Sequence, residues 1–148
     1  MRRVLALALF LLAGPALAQL VTFPKDTLTI ESASGAKHAF NVELATSSQQ
    51  ISQGLMYRRQ MAPDAGMLFI FERPDPAVFW MKNTFIPLDM IFIGVDGRIL
   101  NIAERTIPQS ETPVPASGPT RAVLEVNGGT SARLGIKPGD RVRHSSLP

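Results

Sequence analysis

The hydrophobic residues of this chain fall in short runs separated by turn-forming residues, a pattern typical of a small β-rich domain. Phe40, Val42 and Leu44 alternate with polar positions, which predicts a strand with one buried face. Residues 28–30 predict an earlier strand, and Ser34-Gly35 lies between the two strands. The spacing predicts that these strands pair as a hairpin.

Further apolar runs predict more strands. Residues 67–71 and 78–81 are apolar throughout and too short for helices in this context, so we expect strands covered on both faces. Asp96-Gly97 separates the apolar segments 88–93 and 98–103, and Asp-Gly between such segments is a strong hairpin signal.

Two segments have the signals of short helices. Thr46–Met56 begins with Thr and Ser followed by Gln, the signature of a helix N-terminus, and Gly54 is expected to end or bend it. Residues 130–134 are predicted as a second helix that Gly135 ends.

The segment 107–120 contains four prolines, which predicts an extended loop. Strands are expected after it, at 121–126 and 141–144. With seven or eight strands and two short helices, the sequence predicts one β-rich α+β domain, either a small barrel or a rolled, mostly antiparallel sheet.

The first 18 residues resemble a signal peptide. Arg2 and Arg3 precede an apolar run at 4–13, and Ala16-Leu17-Ala18 supplies an A-x-A cleavage site. This apolar run is too short to cross a hydrocarbon core, which needs about 20 residues. We therefore expect an exported protein, in the periplasm or outside the cell, with no stable membrane anchor after cleavage and one domain over residues 19–148.

The charge of the chain does not indicate a nucleic-acid partner. Lys and Arg total 15 and Asp and Glu total 12, and removing Arg2 and Arg3 lowers the net charge from +3 to +1. The charges are scattered evenly, without the basic patch typical of nucleic-acid-binding proteins. The chain has no cysteine, which excludes disulfides and thiol chemistry.

No familiar catalytic or metal-binding motif is present. His38 and His144 lack i, i+4 partners and there is no G-x-S-x-G motif, so neither a zinc site nor a serine hydrolase is predicted. The methionines after residue 18 all lie within 56–90; thioethers bind copper(I), but core packing is the favoured interpretation. We predict no catalytic residue, no metal and no cofactor.

Carboxylates inside apolar strands are a stronger signal. Asp89 and Glu125 each interrupt such a strand, and a buried carboxylate needs a cation or several hydrogen-bond donors. Arg58, Lys82 and Arg121 could meet them. A structural ionic network is favoured over an acid–base pair, and Asp89 in particular is expected to be structural.

Several motifs resemble the domain of unknown function 192 family. They are Gly54-Leu55-Met56-Tyr57-Arg58, Gly66-Met67-Leu68-Phe69, Phe79-Trp80-Met81-Lys82-Asn83-Thr84, Pro87-Leu88-Asp89-Met90, Asp96-Gly97-x-Ile99, Val123-Leu124-Glu125-Val126-Asn127-Gly128-Gly129 and Gly139-Asp140. The resemblance covers residues 25–145, and the family's characteristic positions match at Gly54, Met56, Arg58, Trp80, Asn83, Thr84, Asp89 and Glu125. It implies a small, often exported bacterial or archaeal protein with a compact β-rich fold and no settled activity, and it assigns no catalytic residue.

Three functions remain open. The favoured one is a ligand-binding or interaction module, with a small ligand or a protein as partner. A strand over 79–84 would place Trp80, Lys82 and Thr84 on one face and Asn83 on the other. We expect these four residues to form the site under the proline-rich loop, since an aromatic beside polar donors suits a sugar, a peptide or a small anion. For Trp80 itself, a place in the core is narrowly favoured over one in a cleft.

The alternatives are a scaffold without a ligand and, last, a hydrolase or lyase that uses Asp89 and Glu125. A carboxylate pair with room for a substrate would favour the enzyme. Two buried and fully hydrogen-bonded carboxylates without an adjoining cavity would favour the scaffold.

Overall fold

Eight strands and two short helices form a nearly closed barrel in the computed structural model, which describes residues 21–148. The predicted signal peptide lies outside the described residues. The elements are β1 Lys25–Glu31, β2 Lys37–Ala45, α1 Ser48–Gln53, β3 Ala65–Ile70, β4 Pro76–Phe79, β5 Leu88–Gly94, β6 Ile99–Ala103, β7 Val114–Asn127, α2 Thr130–Leu134 and β8 Arg141–Arg143. The predicted fold class and element count are confirmed. Within the described range, no helix has the length and apolar character needed to cross a bilayer.

The sheet follows the order β6-β5-β7-β3-β2-β1-β8, with β4 added alongside β7. All pairs are antiparallel except β2–β3, and both predicted hairpins, β1–β2 and β5–β6, are present. The first and last strands of this order approach each other. A bridge joins Arg98 to Arg141, and the Val142 N–H donates to the Gly97 carbonyl oxygen (2.8 Å), so the barrel nearly closes.

The prediction of a loop over 107–120 is wrong in its second half, because β7 already begins at Val114. Pro115 and Pro119 are both exposed and pair only with the short strand β4. The other side of this stretch is met by the side chain of Asn101, whose Oδ1 accepts from the Ser117 N–H (2.9 Å). Prolines are tolerated where no continuous neighbouring strand needs their missing N–H groups.

The central strands are buried on both faces, which explains their unbroken apolar runs. On β3, Leu68 packs in the barrel interior, while Met67 and Phe69 pack in a second cluster on the outer face. Coverage on both faces is thus confirmed for residues 67–70. It is wrong for β4, because only the face with Ala77 and Phe79 packs on the outer cluster and the other face is exposed, with Val78 62% accessible.

The helix α1 lies over this outer face and forms where its capping signals predict. Ser47 is its N-cap and forms a reciprocal capping box with Gln50. Gly54 ends the helix at φ 48°, and a Cβ there would come within 3.1 Å of the Phe69 ring. The close approach places the segment after α1 directly against the sheet.

Candidate binding site

The segment after β4 turns away instead of continuing as a strand. β4 ends at Phe79, and the Thr84 N–H donates to the Met81 carbonyl oxygen (3.1 Å) in a turn that includes Asn83 at φ 54°. Asparagine tolerates this left-handed conformation, which extended strands cannot accommodate. The predicted strand over 79–84 is therefore wrong, and alternation does not place its polar residues on one face.

Trp80 is not a core residue, since 47% of its surface is accessible. The Lys82 Nζ lies 5.0 Å from the centroid of its ring and 3.8 Å from Glu111 Oε1. Thr84, by contrast, is buried, and its hydroxyl donates to the Lys82 carbonyl oxygen (3.2 Å). Trp80 and Lys82 thus form a half-exposed rim, while Thr84 lies beneath it.

A cavity of about 220 Å³ lies between α1 and β4. Its lining is Ile51, Ser52, Gln53, Gly54, Leu55, Met56, Phe69, Val78, Phe79, Trp80, Lys82, Thr84 and Glu125. Phe69 on β3 and Glu125 on β7 belong to the sheet and form the floor. We refer to this space as the Glu125 cavity.

Glu125 is a buried carboxyl group without a partner among residues 21–148. It is 4% accessible, and none of the side-chain hydrogen bonds within that range involves it. The strand register places Met67 of β3 and Met90 of β5 directly beside it, so its nearest cross-strand neighbours are apolar. Burial raises the pKa of this carboxyl from its ordinary value of 4.5 to about 8, because no neighbouring charge or donor offsets the loss of water.

Asp89, on the adjacent strand, is also buried, and both of its oxygens accept hydrogen bonds. Its Oδ1 accepts from the N–H groups of Arg105 and Gly129, and its Oδ2 accepts from the Ser131 N–H, each at 2.8 Å. The expectation that Asp89 needs several donors is confirmed. Because Asp89 pairs with Val126 and Glu125 pairs with Met90, the two carboxylates point to opposite faces of the sheet and cannot act as a pair.

Comparison with known proteins identifies the family of this chain. The family model DUF192, described as an uncharacterized ACR, matches residues 29–144. The chain belongs to the DUF192 family. No curated protein matches the chain.

Two crystal structures are similar to this DUF192 protein over most of their length. One is from Sinorhizobium meliloti 1021 and is provisionally named a transcription regulator; it is 49% identical, with a TM-score of 0.84, covering 86% of this chain and 99% of that one. The other, a protein of unknown function from Novosphingobium aromaticivorans DSM 12444, is 49% identical with a TM-score of 0.81, covering 90% of this chain and 94% of that one.

Five of the eight characteristic positions named for the DUF192 resemblance line the same cavity. They are Gly54, Met56, Trp80, Thr84 and Glu125. Asn83 lies just behind the rim, where its carbonyl oxygen accepts from the Tyr57 N–H (2.8 Å) and its Nδ2 lies 3.9 Å from the Met56 sulfur. Five of the eight positions therefore meet at the Glu125 cavity and Asn83 lies close to it, whereas Arg58 and Asp89 lie elsewhere.

The proposed meeting of five charged residues does not occur. Arg58 forms a two-pronged ion pair with Glu43 beside a separate groove of about 630 Å³ on the outer face of β1–β3. Arg121 donates to the carbonyl oxygen of Phe71. Of the five, only Lys82 and Glu125 line one cavity, because each arginine reaches a nearer acceptor that the topology brings to it.

Sequence reasoning missed the wall that α1 contributes and the partner of Lys82. Gln53 and Leu55 lie at the end of the predicted helix, but only the packing of α1 onto β3 shows that they line the cavity. Glu111 approaches Lys82 because the loop between β6 and β7 is tied to the rim. The Met81 N–H donates to the Ser110 carbonyl oxygen (2.8 Å), and the Gln109 N–H donates to the Thr84 carbonyl oxygen (3.0 Å).

Proposed function

We propose that this DUF192 protein is a ligand-binding module and that the Glu125 cavity is its site. The observation that carries the proposal is the Glu125 carboxyl, which is buried, lines a cavity and lacks a hydrogen-bond partner within the described chain. The Glu125 oxygens are not among the unpaired atoms that are wholly shielded from solvent, so they are open to the cavity. Polar groups at buried positions nearly always have a hydrogen-bond partner, and those that lack one within the protein call for water or a ligand. A bound ligand would supply the missing partner.

The rim supports the same function. Trp80 presents a half-exposed aromatic face at the mouth, a large contact surface that costs little conformational entropy on binding. At about 220 Å³, the cavity is smaller than typical drug-sized pockets of roughly 300–1,000 Å³. It suits one ring or one side chain of a larger ligand.

The two other hypotheses fit the site less well. Asp89 has the bonding expected of a scaffold residue, but Glu125 does not, and a cavity adjoins it. A two-carboxylate hydrolase or lyase needs both groups on one side of a substrate, whereas the register places them on opposite faces. Regulation of transcription belongs to the name of the S. meliloti protein, and the evenly scattered charge of this chain does not favour it.

We propose further that the module acts outside the cytoplasm, in the periplasm or the medium, because residues 1–18 have the pattern of a cleaved signal peptide. Mass spectrometry of the protein expressed in a Gram-negative host tests this. An N-terminus at Gln19 in the periplasmic fraction is expected, and an intact N-terminus in the membrane fraction would contradict it.

A thermal-shift screen of sugars, amines and small amides tests the binding site. A ligand that binds only the native state raises the apparent melting temperature by mass action. The shift should shrink in Glu125→Gln and Trp80→Ala and persist in Arg58→Met, whose side chain lies outside the cavity. Hits that stabilise all four proteins equally, or a screen without hits, would count against the cavity as the site.

A further inference from the structure

The distribution of polar groups in the Glu125 cavity distinguishes between classes of ligand. The walls beside the carboxyl are the side chains of Leu55, Met56 and Phe69. The one buried hydroxyl, that of Thr84, already donates to the Lys82 carbonyl oxygen. A sugar ring needs polar partners around its whole edge. Here the buried part of the lining is apolar apart from Glu125 and Thr84, and the other polar side chains, those of Ser52, Gln53 and Lys82, are exposed or half-buried.

An aliphatic stem that ends in an ammonium group matches this arrangement. Methylene groups pack against leucine, methionine and phenylalanine while the terminal charge reaches a polar partner, as lysine side chains do throughout proteins. At the base, the ammonium would donate to a carboxylate that no described residue pairs. We propose that the Glu125 cavity binds a primary ammonium group on an unbranched alkyl stem, either a lysine side chain of a peptide or a free alkyl diamine.

This proposal rests on the proposed function, since it names the ligand class of the same site. Lys82 is the other ionisable residue that lines the cavity, and its Nζ is held at the rim by Trp80 and Glu111. The cross-strand neighbours of Glu125, Met67 and Met90, are not ionisable. Asp89 lies on the opposite face of the sheet, where three backbone N–H groups donate to its carboxylate.

Binding of an ammonium should release a proton. Burial keeps Glu125 protonated at neutral pH, so the carboxyl must lose its proton to the buffer as the ammonium pairs with it. As the pH rises toward 8, the affinity should therefore increase about tenfold per pH unit, and above pH 8 it should level off. A neutral hydroxyl or amide ligand would show no such increase.

Isothermal titration calorimetry with Nα-acetyl-lysine-N-methylamide, 1,5-diaminopentane and two neutral controls tests the ligand class. The controls are Nα-acetyl-norleucine-N-methylamide, which lacks the ammonium, and the Nε-acetylated lysine probe. Each control should bind at least about tenfold more weakly than the lysine probe. Titration at pH 6.5 in two buffers of different ionisation enthalpy should show about one proton released per site.

Variants separate the contributions of charge and fold. Glu125→Gln keeps the shape of the side chain and should lose at least about tenfold in affinity for the amine while remaining folded by circular dichroism. Lys82→Met removes a cation from the rim and should strengthen amine binding severalfold. Binding of the lysine probe but not the diamine would identify a peptide as the source of the group, and the reverse would identify a free amine; both results support the ammonium class.

The possible failures are distinguishable. If the neutral probes bind as tightly as the amines and Glu125→Gln abolishes binding, the ammonium class is wrong and the proposed site stands. If none of the four probes binds and the thermal-shift screen finds no ligand either, both the ligand class and the proposed function are wrong.

Discussion

Two carboxyl groups on adjacent strands of the same sheet have opposite surroundings. Asp89 faces the end of the barrel where α2 begins, and three backbone N–H groups surround it. Glu125 faces the outer cluster, between two methionines, without a donor among the described residues. Backbone N–H groups therefore stabilise the charge of Asp89, whereas Glu125 borders a cavity.

The difference indicates what each residue does. A carboxylate that joins β5, the loop at Arg105 and the start of α2 holds three elements together, so its loss disrupts structure. A carboxyl group that no described residue contacts through a hydrogen bond contributes nothing comparable to the fold, and it destabilises the protein once it ionises. Variants at the two positions should therefore behave oppositely.

Asp89→Ala should have the largest effect. It leaves three N–H groups without an acceptor, and we expect the free energy of unfolding to fall by about 4 kcal/mol. Chemical denaturation at pH 7 measures this, and Asp89→Asn, which keeps one acceptor oxygen, should lose less. If Asp89→Ala unfolds like the wild type, the structural role assigned to Asp89 is wrong.

Glu125→Gln should stabilise the protein, and the gain should depend on pH. Because the pKa of Glu125 is raised from 4.5 to about 8 on folding, the native state binds the proton more tightly than the unfolded state does. The contribution of the protonated carboxyl to stability is complete below pH 4.5 and is lost as the pH rises to about 8. At pH 7 the free energy of unfolding has already fallen by about 3 kcal/mol on this account. Denaturation of both proteins from pH 4 to 9 measures the difference, and parallel curves would contradict a buried, unpaired Glu125.

Arg58→Met should cost about 1 kcal/mol or less. The ion pair with Glu43 has good two-pronged geometry but is partly exposed, and such pairs contribute little. The variant provides the matched control for the comparison, since it removes a charge that lies outside the cavity. A loss as large as that of Asp89→Ala would indicate that the buried Asp89 stabilises the fold no more than a partly exposed ion pair does.

Trp80→Ala should have the smallest effect on stability, about 0.5 kcal/mol, because nearly half of the side chain is exposed. In the wild type, its fluorescence should be red-shifted relative to a buried indole, quenched by acrylamide and altered by a ligand in the Glu125 cavity. Blue emission that acrylamide does not quench would place Trp80 in the core.

Local signals predicted much of the fold. The hairpins, the capping box of α1 and the glycine ends of both helices depend on a few neighbouring residues, so the sequence shows them directly. Prolines misled the interpretation of β7, because their density suggests a loop. The sequence does not show that Pro115 and Pro119 pair only with β4, where their missing N–H groups are tolerated.

The site was predicted in part. Burial of Asp89 and Glu125 follows from their apolar neighbours, but the choice of partners does not. Arg58 contacts Glu43 because the segment containing α1 connects two parallel strands, β2 and β3, and so returns along β2. The local sequence pattern cannot indicate this connection. The left-handed turn at Asn83, which moves Trp80 to the rim, is likewise a result of packing against other loops.

The closure of the barrel also has a consequence for how the chain folds. β8 is three residues long, pairs with β1 and reaches the start of β6, and its Arg143 contacts Glu31 from 112 positions further along the chain. Contacts of such long sequence separation slow folding, typically to milliseconds or seconds. Until β8 docks, residues 29–31 of β1 and the segment that enters β6 lack their partners, and neighbouring chains can pair with such an edge. Removal of residues 141–148 should therefore leave a chain that aggregates while it folds.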